Sequence, residues 1–224
     1  MRLCPLRRSV DLRLGALLAL AALAGCYPGT TDLDDADYDV VLTVHDDGVD
    51  FSAYRTYVLP DTVVHIEDSD QADVIELPRD FDDLILDVAA ANMNALGYVR
   101  EADPENNPPD LILLASAVGT ETTQWFYSGW WGYWGWYPGW GYYPPGWGPG
   151  WGWGPPPGYV GGVRIEQGSV VLTLIDPARA DEDQERVPVV WAGAMRGLLS
   201  GGAAESRITE SLNQAFDQSP YLGN

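Results

Sequence analysis

The chain contains no lysine, only two cysteines and only two histidines among its 224 residues. Each shortage excludes something. All 12 positive side chains are arginines, set against 33 acidic residues for a net charge of −21. A surface of that sign repels nucleic-acid phosphates and anionic lipid headgroups, so nucleic acid is not an expected partner. His45 and His65 stand apart, with no second histidine or cysteine at ligand spacing, so no metal set is expected. The serines do not complete a Gly-x-Ser-x-Gly elbow, and the glycines lack the lysine of a phosphate-binding loop. Carboxylates are abundant, but a hydrolase pair needs two acids in one cleft with separated pKa values. Here they cluster in loops and on outer helix faces, where solvation accounts for them. The expectation is a protein that is not an enzyme and holds no cofactor.

Long apolar runs are also missing. Residues 16–24 (ALLALAALA) are too few to span a bilayer as a helix, which takes about 20 residues. They follow a basic opening with Arg2, Arg7, Arg8 and Arg13, the layout of a secretory signal. The junction Leu23-Ala24-Gly25-Cys26 resembles the bacterial lipobox. That resemblance implies cleavage before Cys26 and attachment of lipid, palmitate among its acyl chains. One chain holds a protein marginally, whereas two or three give stable anchoring at about 0.8 kcal/mol per buried methylene. Tyr27 stands where inner-membrane retention would call for an Asp, so the expected address is the outer membrane, facing the periplasm. The membrane is thus a partner through the N-terminal lipid alone. With Cys4 removed and Cys26 acylated, no disulfide remains, and the domain must stand on its core.

Residues 1–25 are therefore read as signal peptide and 26–37 as lipidated Cys and acidic tether. Asp32, Asp34, Asp35 and Asp37 in that tether lack the glycine and closing glutamate of a calcium loop. Residues 38–224 form the expected single domain. Strands are predicted at 38–44, within 51–59, at 110–118, within 161–176 and at 187–195, with a weaker patch at 62–66. Asp80 predicts a helix start, Phe81, Leu84, Ile85, Val88, Ala95 and Leu96 recur on one face, and Gly97 ends it. Ile208, Leu212, Ala215 and Phe216 mark a second helix over 205–218. The order predicts an α+β fold: a mostly antiparallel sheet with two helices on one face and a long Gly/Trp/Tyr/Pro-rich insert.

Particular residues in this order resemble the bacterial lipoproteins grouped as domain-of-unknown-function family 4136. They are Asp50-Phe51-Ser52 with Tyr54, Thr56 and Tyr57, then Ala95-Leu96-Gly97-Tyr98, then Pro109-Asp110-Leu111-Ile112-Leu113. Residues 170–176 and Val189-Val190-Trp191-Ala192-Gly193 complete the set. The resemblance covers about residues 38–218. It implies an envelope lipoprotein domain with no established activity, and it brings no catalytic residue.

The insert, residues 125–159, holds nine Trp, six Tyr and one Phe with 11 Gly and seven Pro, and no charge. Gly and Pro alternate with the rings too densely for a persistent helix or strand, so a core is not expected there. Four readings remain open: a loop without a dedicated ligand, a glycan or peptidoglycan contact, a membrane-interface element, or a contact for an envelope protein. The candidate stacking residues are Trp130, Trp131, Trp134, Trp136, Trp140, Trp147, Trp151 and Trp153.

Overall fold

The computed structural model describes residues 41–66, 77–119, 168–180, 189–199 and 204–223, and the backbone of 152–154 and 186–188. Strand β1 is Val41–His45. Asp46 Oδ1 then accepts the Gly48 N–H at 2.9 Å, closing the Asp-Asp-Gly turn. The strand expected within 51–59 is β2, Thr56–Val58, and a 3₁₀ turn, Phe51–Ala53, precedes it. The Asp50 side chain caps that turn by accepting the Ser52 N–H, so the backbone bends before it extends. Strand β3 is Val63–Ile66, α1 is Asp82–Ala95, β4 is Val99–Arg100 and β5 is Leu111–Val118. Strand β6, Gly152–Gly154, lies inside the stretch predicted to hold no strand. Strands β7, Ser169–Ile175, and β8, Arg186–Met195, precede α2, Glu205–Asp217.

The sheet order is β1-β8-β7-β5-β2-β4, with β3 also on β5 and β6 on β8. Pairs β1–β8, β7–β8 and β5–β7 are antiparallel, whereas β2–β5, β3–β5, β2–β4 and β6–β8 are parallel. The sheet is mixed and not mostly antiparallel. The reason is the crossover: α1 carries the chain from β3 back to the end where β2 began, so β4 and β5 run the same way as β2. Strands β2 and β3 are one interrupted edge strand. Val58 faces Ile112 and Val63 faces Ala115, so five steps on one side oppose three on the other. Pro60 sits in that excess, where no ladder donor is needed.

Helix α1 starts without a side-chain cap: its N-cap is Phe81 and Asp80 does not serve. Its end is as expected. The Gly97 N–H donates to the Asn94 carbonyl and the Tyr98 N–H to the Met93 carbonyl, the Schellman pattern, with Gly97 at φ 97. Ile85, Ala89 and Met93 of α1 and Ile208, Leu212, Ala215 and Phe216 of α2 are buried in one cluster with Tyr57, Leu113, Leu172 and Trp191. Both helices thus lie on one face of the sheet. Alternate residues of the same strands, including Ile112, Leu114, Val171 and Ile175, form a second buried cluster. At the β7–β8 ladder, Leu174 faces Trp191 and Ile175 faces Val189, so Val190 is bulged. The bulge returns Trp191 to the helix face.

Candidate functional site

The family-like residues turn out to meet one another. Asp110 Oδ2 accepts the Arg55 N–H at 2.7 Å and the Thr56 N–H at 2.9 Å. The Asp110 N–H donates back to Thr56 Oγ1 at 3.0 Å. These bonds lock the start of β2 to the start of β5. Tyr98 Oη donates to the Leu222 carbonyl at 2.8 Å and ties the end of α1 to the C-terminal turn Pro220–Leu222. Burial pushes the Tyr98 phenol up to about 12, with the Arg55 charge opposing in part. Most of the resemblance is therefore carried by residues that hold the fold.

One concavity is built where three of these pieces converge. The end of β1, the Asp50 turn and the C-terminal turn enclose a cleft of about 320 Å³ lined by His45, Asp47, Asp50, Phe51, Ser52 and Tyr221. That volume is at the low end for a small-ligand site. The His45 ring stacks on Tyr221 with centroids 3.7 Å apart, and Phe51 tilts against Tyr221 at 5.8 Å. His45 Nε2 lies 3.1 Å from Asp47 Oδ1, whose side chain is fully in solvent. Ser52 Oγ donates to Asp50 Oδ1 at 2.6 Å. The serine hydroxyl is thus engaged by a carboxylate that also caps a turn, and the imidazole is engaged elsewhere. The arrangement offers aromatic rings and an outward carboxylate for contact, with no serine–imidazole pair in it.

Behind the cleft, two buried acids brace the same end of the sheet. Tyr54 Oη donates to Asp176 Oδ2 at 2.6 Å, and Arg179 pairs with Asp46 Oδ2 at 2.9 Å. Burial raises the Tyr54 pKa first, and the hydrogen bond and charge of Asp176 raise it further. His65, on β3, has its Nε2 2.8 Å from Asp82 Oδ1 at the start of α1. Among the described residues no three His, Cys, Asp or Glu side chains are grouped to hold a metal ion.

Of the residues singled out from sequence, Cys26, Trp130, Trp131, Trp134, Trp136, Trp140, Trp147 and Trp151 lie outside the described residues. Trp153 sits in β6, its backbone in register with Val187. The cleft residues were not among the candidates. The Asp-x-Ser spacing at Asp50 announces a capped turn, but nothing local joins His45 to Tyr221, so no sequence signal marked the cleft.

A mixed sheet with both helices on one face, braced by buried acids and carrying a small aromatic cleft at one end, defines a single-sheet α+β domain. Residues 41–221 match the family described as a domain of unknown function (DUF4136), and the chain belongs to that family. It is similar to a DUF4136 family protein from Bacteroides thetaiotaomicron whose crystal structure is known. The two share 28% identity and a TM-score of 0.58, over 83% of this chain and 97% of that one. A PelC dodecamer from Paraburkholderia phytofirmans aligns over 81% of this chain and 97% of its own, at 14% identity and a TM-score of 0.37. No significant match is found among curated proteins.

Proposed function

We propose that this chain is a lipid-anchored cell-envelope protein of the outer membrane, whose periplasm-facing domain has a non-enzymatic structural or interaction role. The observation that carries the anchoring is Leu23-Ala24-Gly25-Cys26 directly after the apolar run of residues 16–24. Among the described residues no helix is long and apolar enough to cross a membrane. Without residues 1–25 the chain keeps eight arginines against 32 acids, so lipid and not charge must hold it at an anionic surface. The cleft between His45, Asp50 and Tyr221 supports an interaction role: its rings and the solvent-facing Asp47 carboxylate suit contact with one side chain or sugar ring of a partner.

Cys26→Ser tests the anchoring. The variant is expected in the soluble periplasmic fraction while the native chain sediments with membranes; a variant that still sediments contradicts the proposal. A second reading rests on the nine Trp of residues 125–159. Trp faces stack on sugar C–H faces, so the insert would bind glycan or peptidoglycan. Co-sedimentation of the purified domain with peptidoglycan, lost when residues 128–158 are deleted, is its expected result. Equal recovery of both forms contradicts it.

A further inference from the structure

The walls of the cleft at the end of β1 are fixed by bonds inside the protein. Tyr98 Oη donates to the Leu222 carbonyl at 2.8 Å and stands 3.5 Å from the Phe51 carbonyl, so one buried hydroxyl braces both walls. Asp47 is carried on a turn fastened at both ends. The Asp46 N–H donates to the Val190 carbonyl at 2.9 Å, and the Val49 N–H donates to the Asp46 carbonyl at 3.1 Å. Asp50 is held by the turn that it caps. Groups placed in this way need little further ordering when something binds.

What the cleft can bind follows from which of its groups are already engaged. Among the described residues that line it, the side-chain donors belong to His45, Ser52 and Tyr221. Ser52 Oγ donates to Asp50 Oδ1 at 2.6 Å. Tyr221 Oη donates to Ser219 Oγ at 3.2 Å, and Ser219 is wholly buried, so the hydroxyl turns inward and the ring is left to the cleft. His45 Nε2 lies 3.1 Å from Asp47 Oδ1, and with its proton there the other ring nitrogen is an acceptor. The carboxylates of Asp47 and Asp50 accept only. His45 meets Oδ1 of Asp47 and Ser52 meets Oδ1 of Asp50, so each acid keeps an Oδ2 that these bonds do not use.

Acceptors and ring surfaces without a spare side-chain donor suit one class of ligand. An anion would meet two carboxylates and no counter-charge. Among the described residues no arginine lines the cleft, and Arg55, whose Nη1 donates to the Ser52 and Tyr54 carbonyls, is not part of its lining. A neutral sugar asks for donors as well as acceptors. A cation is served by both parts, because carboxylates and the negative faces of aromatic rings attract it together. A guanidinium is planar, carries five donors in a fork, stacks on rings and sheds water more readily than an ammonium. The charge of the whole chain, −21 with no lysine, draws basic partners in the same sense. We infer that this cleft receives the guanidinium of an arginine on a protein partner, held by the Asp47 and Asp50 carboxylates against the rings of His45 and Tyr221. The inference rests on the interaction role proposed for the cleft and chooses the side chain over the sugar ring.

The two histidines of the chain make the test specific. In NMR spectra of the full chain with isotope-labelled histidine, the His45 ring reports on the cleft. The His65 ring, buried against Asp82, is the internal control. The probe is the capped tripeptide acetyl-Gly-Arg-Gly-amide at constant pH and salt. It should shift the His45 signal saturably and leave His65 unmoved. The peptide with Lys in place of Arg should bind several-fold more weakly, and the peptide with Gln should give no shift. Asp47→Asn with Asp50→Asn should weaken the Arg peptide several-fold. Asn at position 50 still caps its turn, and an unmoved His65 signal shows that the variant is folded. Should the pair fail to fold, Asp47→Asn alone serves, since that side chain stands in solvent. No saturable His45 shift with the Arg peptide overturns the inference, as does equal affinity in the variant or for the Lys peptide. A His45 shift with N-acetylglucosamine and none with the Arg peptide overturns it and spares the interaction role. Silence toward every probe overturns it and removes the cleft from that role too.

Discussion

Trp191 donates its indole N–H to Ser219 Oγ at 2.8 Å, and neither residue is exposed to solvent. The pair joins the bulged strand β8 to the segment just beyond α2. Ser219 in turn donates to the Ala215 carbonyl at 2.9 Å, and the Trp191 ring stacks on Phe216 at 5.4 Å. Ser219→Ala leaves the indole N–H buried without its acceptor, which costs about 1–3 kcal/mol. Urea unfolding should report that loss through a lower midpoint at unchanged slope. A midpoint equal to that of the native chain would mean that the bond contributes nothing.

Gly193 matters because α2 sits directly on it. A methyl group there would meet Trp191 Cη2 at 2.9 Å and Ala215 Cβ at 3.3 Å. The stacked and hydrogen-bonded indole cannot swing aside. Gly193→Ala should therefore destabilise by about 1–3 kcal/mol through overpacking. Thermal unfolding measures it, and an unchanged midpoint would contradict the close approach of α2 to β8.

Alkaline pH should loosen the fold through Tyr98. Its phenol is raised from an ordinary 10.0 to about 12 by burial, and Tyr54 and Tyr57 are shifted the same way. Above pH 10.0 the unfolded chain gives up these protons while the folded chain keeps them, so unfolding releases protons. The stabilisation is complete below pH 10.0 and is lost as pH rises through about 12. Unfolding midpoints should fall across that window, with a shallower fall in Tyr98→Phe. A flat profile would contradict the burial of these hydroxyls.

The parts of the fold that were legible in sequence are those written locally. The spacing of Ile208, Leu212, Ala215 and Phe216 gives α2 to within a residue, since a helix shows its buried face in its own period. Gly97 ends α1 because only a residue free at positive φ closes the Schellman turn. Strand direction was not legible. Nothing in Thr56–Val58 or Val63–Ile66 says that the partner strand runs parallel, because that depends on where α1 returns the chain. Strand β4 is two residues long and carries no pattern. The cleft was hidden for the same reason, as His45 and Tyr221 meet only through the folded sheet. The insert's Gly and Pro content argued against any persistent helix or strand, and the three-residue β6 inside it, Gly152–Gly154, carries no alternation that would mark it.

The most direct measurement of the account is the mass of the N-terminal peptide of the protein recovered from bacterial membranes. The account predicts a chain that begins at Cys26 and carries a diacylglyceryl group on its thiol and an acyl group on its amine. A chain that begins elsewhere, or a Cys26 free of lipid, would contradict it.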